Sequence, residues 1–208
     1  MALVRHDTDL WSAEHTFGWQ GGLVPIPVRM TALRLGDGAL VLHSPVPITP
    51  ELGAELDALG RVGWIVVPKA HGRFAPAAAA RWPSARVLTG DPAPPEWAGQ
   101  IDTHTVEGFR LDEVVLHQRA TRTLVITDLC FNIRASESAL ARAFFRANGM
   151  WRRFGPSRLI RVLAVSDRAA LQRSLERLLA WDFARIVPGH GDPIERDAPA
   201  ALRAAWPG

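Results

Sequence analysis

Leu124-Val125-Ile126-Thr127-Asp128 and Ile186-Val187-Pro188-Gly189-His190-Gly191 are the two stretches whose reading decides how this chain folds. Each is a short apolar run that stops at a polar residue. Such runs, bounded by turn residues, read as strands buried on both faces. A third stretch has the same layout: Trp64-Ile65-Val66-Val67 leads through Pro68-Lys69-Ala70 to His71. In layered α/β proteins the loops at strand ends are free to converge while the strands hold them rigid. His71, Asp128 and His190 are therefore expected at one site.

Outward from these strands, the first third reads as β-structure. Val28–Leu35 and Ala39–His43 flank the turn Gly36-Asp37-Gly38 and are predicted to pair as a hairpin. Thr49-Pro50 is an N-cap followed by proline at the first helical position; Leu52, Leu56 and Leu59 share a face, and Gly60 stops the helix. Val62–Val67 is a strand, 76–82 a short helix, Ala85–Leu88 a strand and 91–95 a proline-rich connection. Val114–His117 and Thr123–Thr127 form a second predicted hairpin. The rest is mostly helical: Glu137–Ala147, then Ser166-Asp167 capping a helix to Trp181, and finally Ala198–Ala205, with Ala184–Val187 as the last strand. Hairpins early and strand–helix alternation later predict α/β layers with a mixed sheet or two sheets.

The chain's 208 residues suit one domain spanning 1–208, with 48% hydrophobic and 22% charged residues, which excludes the composition of a disordered chain. Cys130 is the only cysteine, so neither an internal disulfide nor a cysteine-based zinc cluster can form. No apolar run is long enough for a transmembrane helix, and the start, Met1-Ala2-Leu3-Val4-Arg5, lacks a signal-peptide layout. The expectation is a cytoplasmic protein with no membrane partner. Net charge is +3, and Lys69 is the single lysine among 24 basic residues. Arg142, Arg146, Arg152, Arg153, Arg158 and Arg161 lie in a segment that also carries Phe144, Phe145, Trp151 and Phe154. This is read as a solvated amphipathic face; a nucleic-acid binder calls for a more concentrated basic stripe.

Two imidazoles and one carboxylate suffice for one divalent ion, either a catalytic zinc with an open position or a ferrous site of the two-His-one-carboxylate type; manganese fits as well. Each residue also has a plain reading: His71 as a hydrogen-bonded loop residue, Asp128 as a turn cap, His190 as a histidine on a glycine-flanked turn. His43 and His117 end strands too. Either is a further ligand, a residue orienting a ligand, a proton shuttle or an ordinary strand-end histidine. His104 carries a weaker signal. Ser44 lacks the Gly-x-Ser-x-Gly setting of a nucleophile, and Cys130 reads as a small core residue.

The order of elements, with Thr127-Asp128-Leu129 and Val187-Pro188-Gly189-His190-Gly191, resembles the metallo-β-lactamase superfamily from about Leu10 to Pro193. Leu42-His43-Ser44-Pro45, Thr121-Arg122-Thr123-Leu124 and Ala180-Trp181-Asp182-Phe183 are similar to a divergent bacterial branch built around a domain of unknown function. The resemblance implies a four-layer αββα sandwich with a metal site at one edge of its two sheets. One departure is large. The superfamily's His-x-His-x-Asp-His signature follows the strand that ends here at Val67, but this chain has Pro68-Lys69-Ala70-His71-Gly72-Arg73. A binuclear site is not expected. A mononuclear site of His71, Asp128 and His190 remains, or a pocket without metal.

Two functions compete on these residues. One is a metal-dependent hydrolase acting on a small-molecule substrate, with Asp128, His117 and His43 as catalytic residues and zinc, iron or manganese as the ion. The other is a non-catalytic protein of the same fold that binds a small ligand or partner in the same cleft.

Overall fold

A computed structural model describes residues 2–90 and 92–207; Met1, Asp91, with which the 91–95 connection begins, and Gly208 lie outside the described residues. The first sheet has six strands, β1 (Val4–Asp7), β2 (Leu10–Trp19), β3 (Val24–Arg34), β4 (Leu40–His43), β5 (Val62–Val66) and β6 (Arg86–Leu88), in chain order. The first four run antiparallel, whereas β4, β5 and β6 are parallel to one another. The second sheet has four strands, β7 (Ile101–Thr105), β8 (Val114–Gln118), β9 (Thr123–Ile126) and β10 (Arg185–Pro188), in the order β10-β9-β8-β7. Only the β9–β10 pair is parallel.

Strand alternation builds the layers. On β4, Leu40 and Leu42 pack with Leu52 and Leu56 of α1 (Pro50–Leu59) and with Ala75 and Ala78 of α2 (Ala75–Arg81). Val41 points the other way, into a core with Leu33, Trp64, Leu116, Val125 and Val187 that fills the space between the sheets. On β9 and β10, Leu124, Ile126 and Ile186 pack with Leu171, Leu175 and Leu178 of α5 (Arg168–Leu179) and Leu202 of α6 (Ala198–Ala205). The molecule is thus the expected αββα sandwich, and the near-continuous apolar strands reflect burial on both faces. Two further helices, α3 (Ala139–Ala147) and α4 (Arg158–Leu163), pack through Phe145 and Ile160 against Val24, Phe131 and Met150 at the open end. Among the described residues no helix is long and apolar enough to cross a membrane.

Most predicted elements appear with ends shifted by one to a few residues. Thr49 caps α1 and Asp167 caps α5, each side chain accepting a bond from a first-turn amide. The strand predicted from Val28 instead begins at Val24 and runs through Pro25 and Pro27. That half of β3 pairs with β2 alone, since β4 joins only at Thr31–Arg34, so the missing amide protons remove no ladder bond. Strands β1, β2 and β7 and helix α4 were not resolved by sequence reading.

Candidate metal centre

His71, Asp128 and His190 each follow a strand of the inner pair of layers, β5, β9 and β10 respectively, and their ligand atoms all lie within 4.8 Å of one another. His190 Nε2 is 3.2 Å from Asp128 Oδ1 and 3.2 Å from His71 Nε2, and His71 Nε2 is 3.3 Å from Asp128 Oδ2. All three side chains are nearly buried, at 7–10% exposure.

Each side chain is held from behind. His190 Nδ1 donates to the Pro27 carbonyl at 2.7 Å; a carbonyl only accepts, so a neutral ring leaves Nε2 bare and aimed at Asp128. The loop that carries it is tied to β3, where the Arg29 amide donates to the Gly189 carbonyl (2.8 Å) and the buried Arg29 guanidinium donates to the Pro188 carbonyl (3.2 Å) and pairs with Glu14. Phe131 stacks on the imidazole at 4.7 Å between centroids. His71 sits on a short 3-10 turn (Lys69–Phe74), with Nδ1 against Ser44 Oγ at 2.6 Å. Ser44 has φ +57°, a left-handed backbone that costs a non-glycine residue energy and turns its hydroxyl toward His71.

Asp128 depends on Glu113, a residue that sequence reading did not single out. This fully buried carboxylate accepts bonds from the Thr127 amide, the Thr127 hydroxyl and the Asp128 amide (2.8 Å for the last). Burial, together with the nearby charge of Asp128, pushes the Glu113 carboxyl up to about 7. Burial also works against the Asp128 carboxylate, but the charge of His71 beside it and the hydrogen bond from that ring hold it well below the ordinary carboxylate range. Burial opposes protonation of His71 as well; the Asp128 charge and hydrogen bond outweigh it, and the His71 pKa is raised.

The other strand-end histidines lie elsewhere. His43 is buried beneath the site, its Nε2 bonded to the Val114 carbonyl at 2.7 Å, and burial brings its pKa down to about 4. His117 pairs with Leu124 near the entry end of β9, away from the exit that carries Asp128. Both its ring nitrogens are engaged, Nδ1 by Asp102 and Nε2 by the Asp182 carbonyl (3.0 Å each), and Trp181 stacks on the ring. Neither histidine is among the described residues that line the cleft beside His71, Asp128 and His190. Cys130 is fully buried, as expected of a core residue.

That cleft has a volume of about 310 Å³. Its walls are apolar, with Phe17, Trp19, Ile26, Phe131, Phe144 and Met150 among them, and His71, Asp128 and His190 lie along it. The only guanidinium among its described lining residues is Arg73, over the rings of Phe17 (5.4 Å) and Phe74 (6.0 Å); among the described residues no carboxylate pairs with it.

The donor set fits a divalent ion. Ligand atoms about 2 Å from a tetrahedral zinc lie roughly 3.3 Å from one another. Here the two Nε2 atoms are 3.2 Å apart, His190 Nε2 is 3.2 Å from Asp128 Oδ1 and His71 Nε2 is 3.3 Å from the other oxygen, Oδ2, and one atom from each residue lies within 4.8 Å of the others. The far nitrogen of each imidazole is tied to a protein oxygen, as it is in histidines that bind metals.

Comparison with known proteins agrees with this architecture. Residues 7–98 match the family model described as a domain of unknown function, DUF4336. No curated protein matches in sequence. Among solved structures, a metallo-β-lactamase from Pontibacter korlensis is 14% identical with a TM-score of 0.61, over 98% of this chain and 97% of that one. One from Hirschia baltica is 12% identical (TM-score 0.59; 98% and 96% covered), and one from Erythrobacter litoralis, with β-mercaptoethanol in its active site, is 15% identical (TM-score 0.56; 98% and 94%). The chain has the metallo-β-lactamase fold.

Proposed function

We propose that this chain, acting as one domain over residues 1–208, is a hydrolase with a single divalent metal ion held by Nε2 of His71, Nε2 of His190 and a carboxylate oxygen of Asp128. The observation that carries the reading is the convergence of these three ligand atoms at the floor of an apolar cleft. A bound zinc, iron or manganese ion polarises a substrate carbonyl or phosphoryl oxygen and lowers the pKa of water toward neutrality.

The chain's own residues supply the rest. The Pro27 carbonyl and Ser44 hydroxyl fix the two imidazoles, Glu113 holds the Asp128 loop, and Asp128 contributes the negative charge. Phe17, Trp19 and Phe131 exclude water and receive an apolar acyl or aryl group, and Arg73 attracts an anionic substituent at the cleft wall. Esters, thioesters, lactones and phosphodiesters with such a group are the substrate classes to test. His43 and His117, with their ring nitrogens turned to carbonyls and Asp102, are assigned to holding strands together and not to proton transfer.

A second reading has its own support. A protonated His71 that donates from Nε2 to Asp128 at 3.3 Å pairs the two residues with no ion. The protein would then bind a small ligand without catalysis. Elemental analysis after incubation with zinc, iron and manganese separates the two. The hydrolase reading expects about one ion per chain in wild type and a sharp loss in His190→Ala, whose melt matches that of chelated wild type. Wild-type protein that stays metal-free under all three ions overturns it.

A further inference from the structure

The chain between Ser138 and Ser166 holds six arginines and no Asp or Glu. It forms α3, the turn around Trp151, and α4, all beside the cleft mouth. None of the six pairs with a carboxylate among the described residues. Arg146 and Arg152 lie over Trp151, at 5.3 and 5.5 Å, Arg158 donates to the Ala147 carbonyl at the end of α3, and Arg153 and Arg161 are exposed. The charge is therefore gathered on one end of the molecule and left unneutralised.

The same surface is apolar where a solvated helix should be polar. Helix α4 turns Ile160 toward the core and exposes Leu159 (42%), Val162 (78%) and Leu163 (61%), which share one face at spacings of three and four. Seven large hydrophobics are exposed among the described residues, and three of them stand on these six residues of helix. Leu159 also lines the cleft, so the exposed apolar face runs into the cleft mouth. Clustered exposed aliphatics rimmed by cations mark a binding surface.

We infer that α4 and its arginine rim dock on an anionic lipid surface, with Leu159, Val162 and Leu163 entering the headgroup boundary and the arginines facing lipid phosphates. Charge and side-chain chemistry choose this occupant. A second copy of this chain in a two-fold contact would set the arginine face against itself. Single-stranded nucleic acid needs exposed rings to stack on, but Phe145 is buried and Phe144, Trp151 and Phe154 are half-buried, leaving only aliphatic groups outermost. Apolar residues flanked by arginine suit the interface of an anionic bilayer. The expectation of no membrane partner rested on the lack of a spanning segment, which surface docking does not require.

The test is co-sedimentation of the full chain with vesicles of phosphatidylcholine, with and without phosphatidylglycerol, across a salt series, with RNA binding and sedimentation velocity measured in parallel. Binding is expected only to the phosphatidylglycerol vesicles. It should weaken roughly tenfold or more in Val162→Glu and, separately, in the Arg153→Glu, Arg161→Glu double variant; these positions are exposed, and an unchanged melt of each variant checks folding. Absence of vesicle binding overturns the inference, as does binding that both variants leave intact. Tighter binding to RNA that Val162→Glu does not change, or a wild-type dimer that Val162→Glu converts to a monomer without any vesicle binding, overturns it as well.

Discussion

Ser44 shows how much a single residue contributes to this centre. Its hydroxyl meets His71 Nδ1 at 2.6 Å from a left-handed backbone. Ser44→Ala removes the hydroxyl and keeps the strain, whereas Ser44→Gly removes both. Both variants should weaken metal binding, roughly tenfold to a hundredfold in a competitive chelator titration, with the glycine variant the more stable. Equal affinity in wild type and both variants would show that His71 needs no such support. His43 has a different signature. Its folded pKa, about 4, lies below the ordinary histidine value of 6.5, so between those values the unfolded chain binds the extra proton. Stability from this group is complete above pH 6.5 and lost as pH falls toward 4, on the order of 3 kcal/mol in all. Urea melts of His43→Gln should show a shallower loss than wild type over that window; parallel curves would mean that the ring is already charged in the fold. His71, Asp128 and His190 were legible in the sequence because each ends an apolar strand. Glu113 was not, since the second of two adjacent acids (Asp112-Glu113) ahead of a strand looks like a solvated loop residue until the fold buries it against Thr127 and Asp128.

At the scale of elements, the loop after β10 is fixed by close backbone approach. Gly191 has φ +84°, and a Cβ there would overlap the Asn132 carbonyl, whose oxygen accepts the Asp192 amide while the Asn132 amide donates to the His190 carbonyl. Gly191→Ala should therefore displace His190 and cost several kcal/mol. It should lower metal content and bring the melting temperature below that of chelated wild type, unlike His190→Ala, which melts with the chelated protein; a melt no lower than that would mean that the loop rearranges at little cost. The strands missed in the sequence share a physical cause. Along β2 the residues from Glu14 onward alternate exposed and half-buried, and β7 carries one aliphatic residue, Ile101, among polar ones. Neither shows the apolar run that marked β5, β9 and β10. Helix α4 is too short for helical periodicity to stand out, and three of its apolar residues face outward.

At the scale of the whole molecule, the apolar cores between the sheets and under each helix layer close without any ion. Removing metal should leave the protein folded and lower its stability only by the linked binding energy, about 2.7 kcal/mol for an ion held at a hundred times its Kd. For a chain of this size that is a fall of roughly 5–10 °C in Tm on chelation, with unfolding still cooperative. Unfolding on chelation alone would make the ion a structural staple instead.

The sequence by itself determined an α/β layering and the apolar strands that lead to the site, because burial on two faces writes apolar runs and turn residues mark their limits, and both signals are local. It therefore named the residues that could meet. Whether they met was decided by the tertiary structure. The two sheets bring Pro27 to His190, Ser44 to His71 and Glu113 to Asp128, partners separated along the chain by 163, 27 and 15 residues. Those contacts depend on how the elements pack, across the two sheets for Pro27 and His190 and between the ends of neighbouring strands of one sheet for the other two pairs, and no local pattern of residues encodes the distance between them.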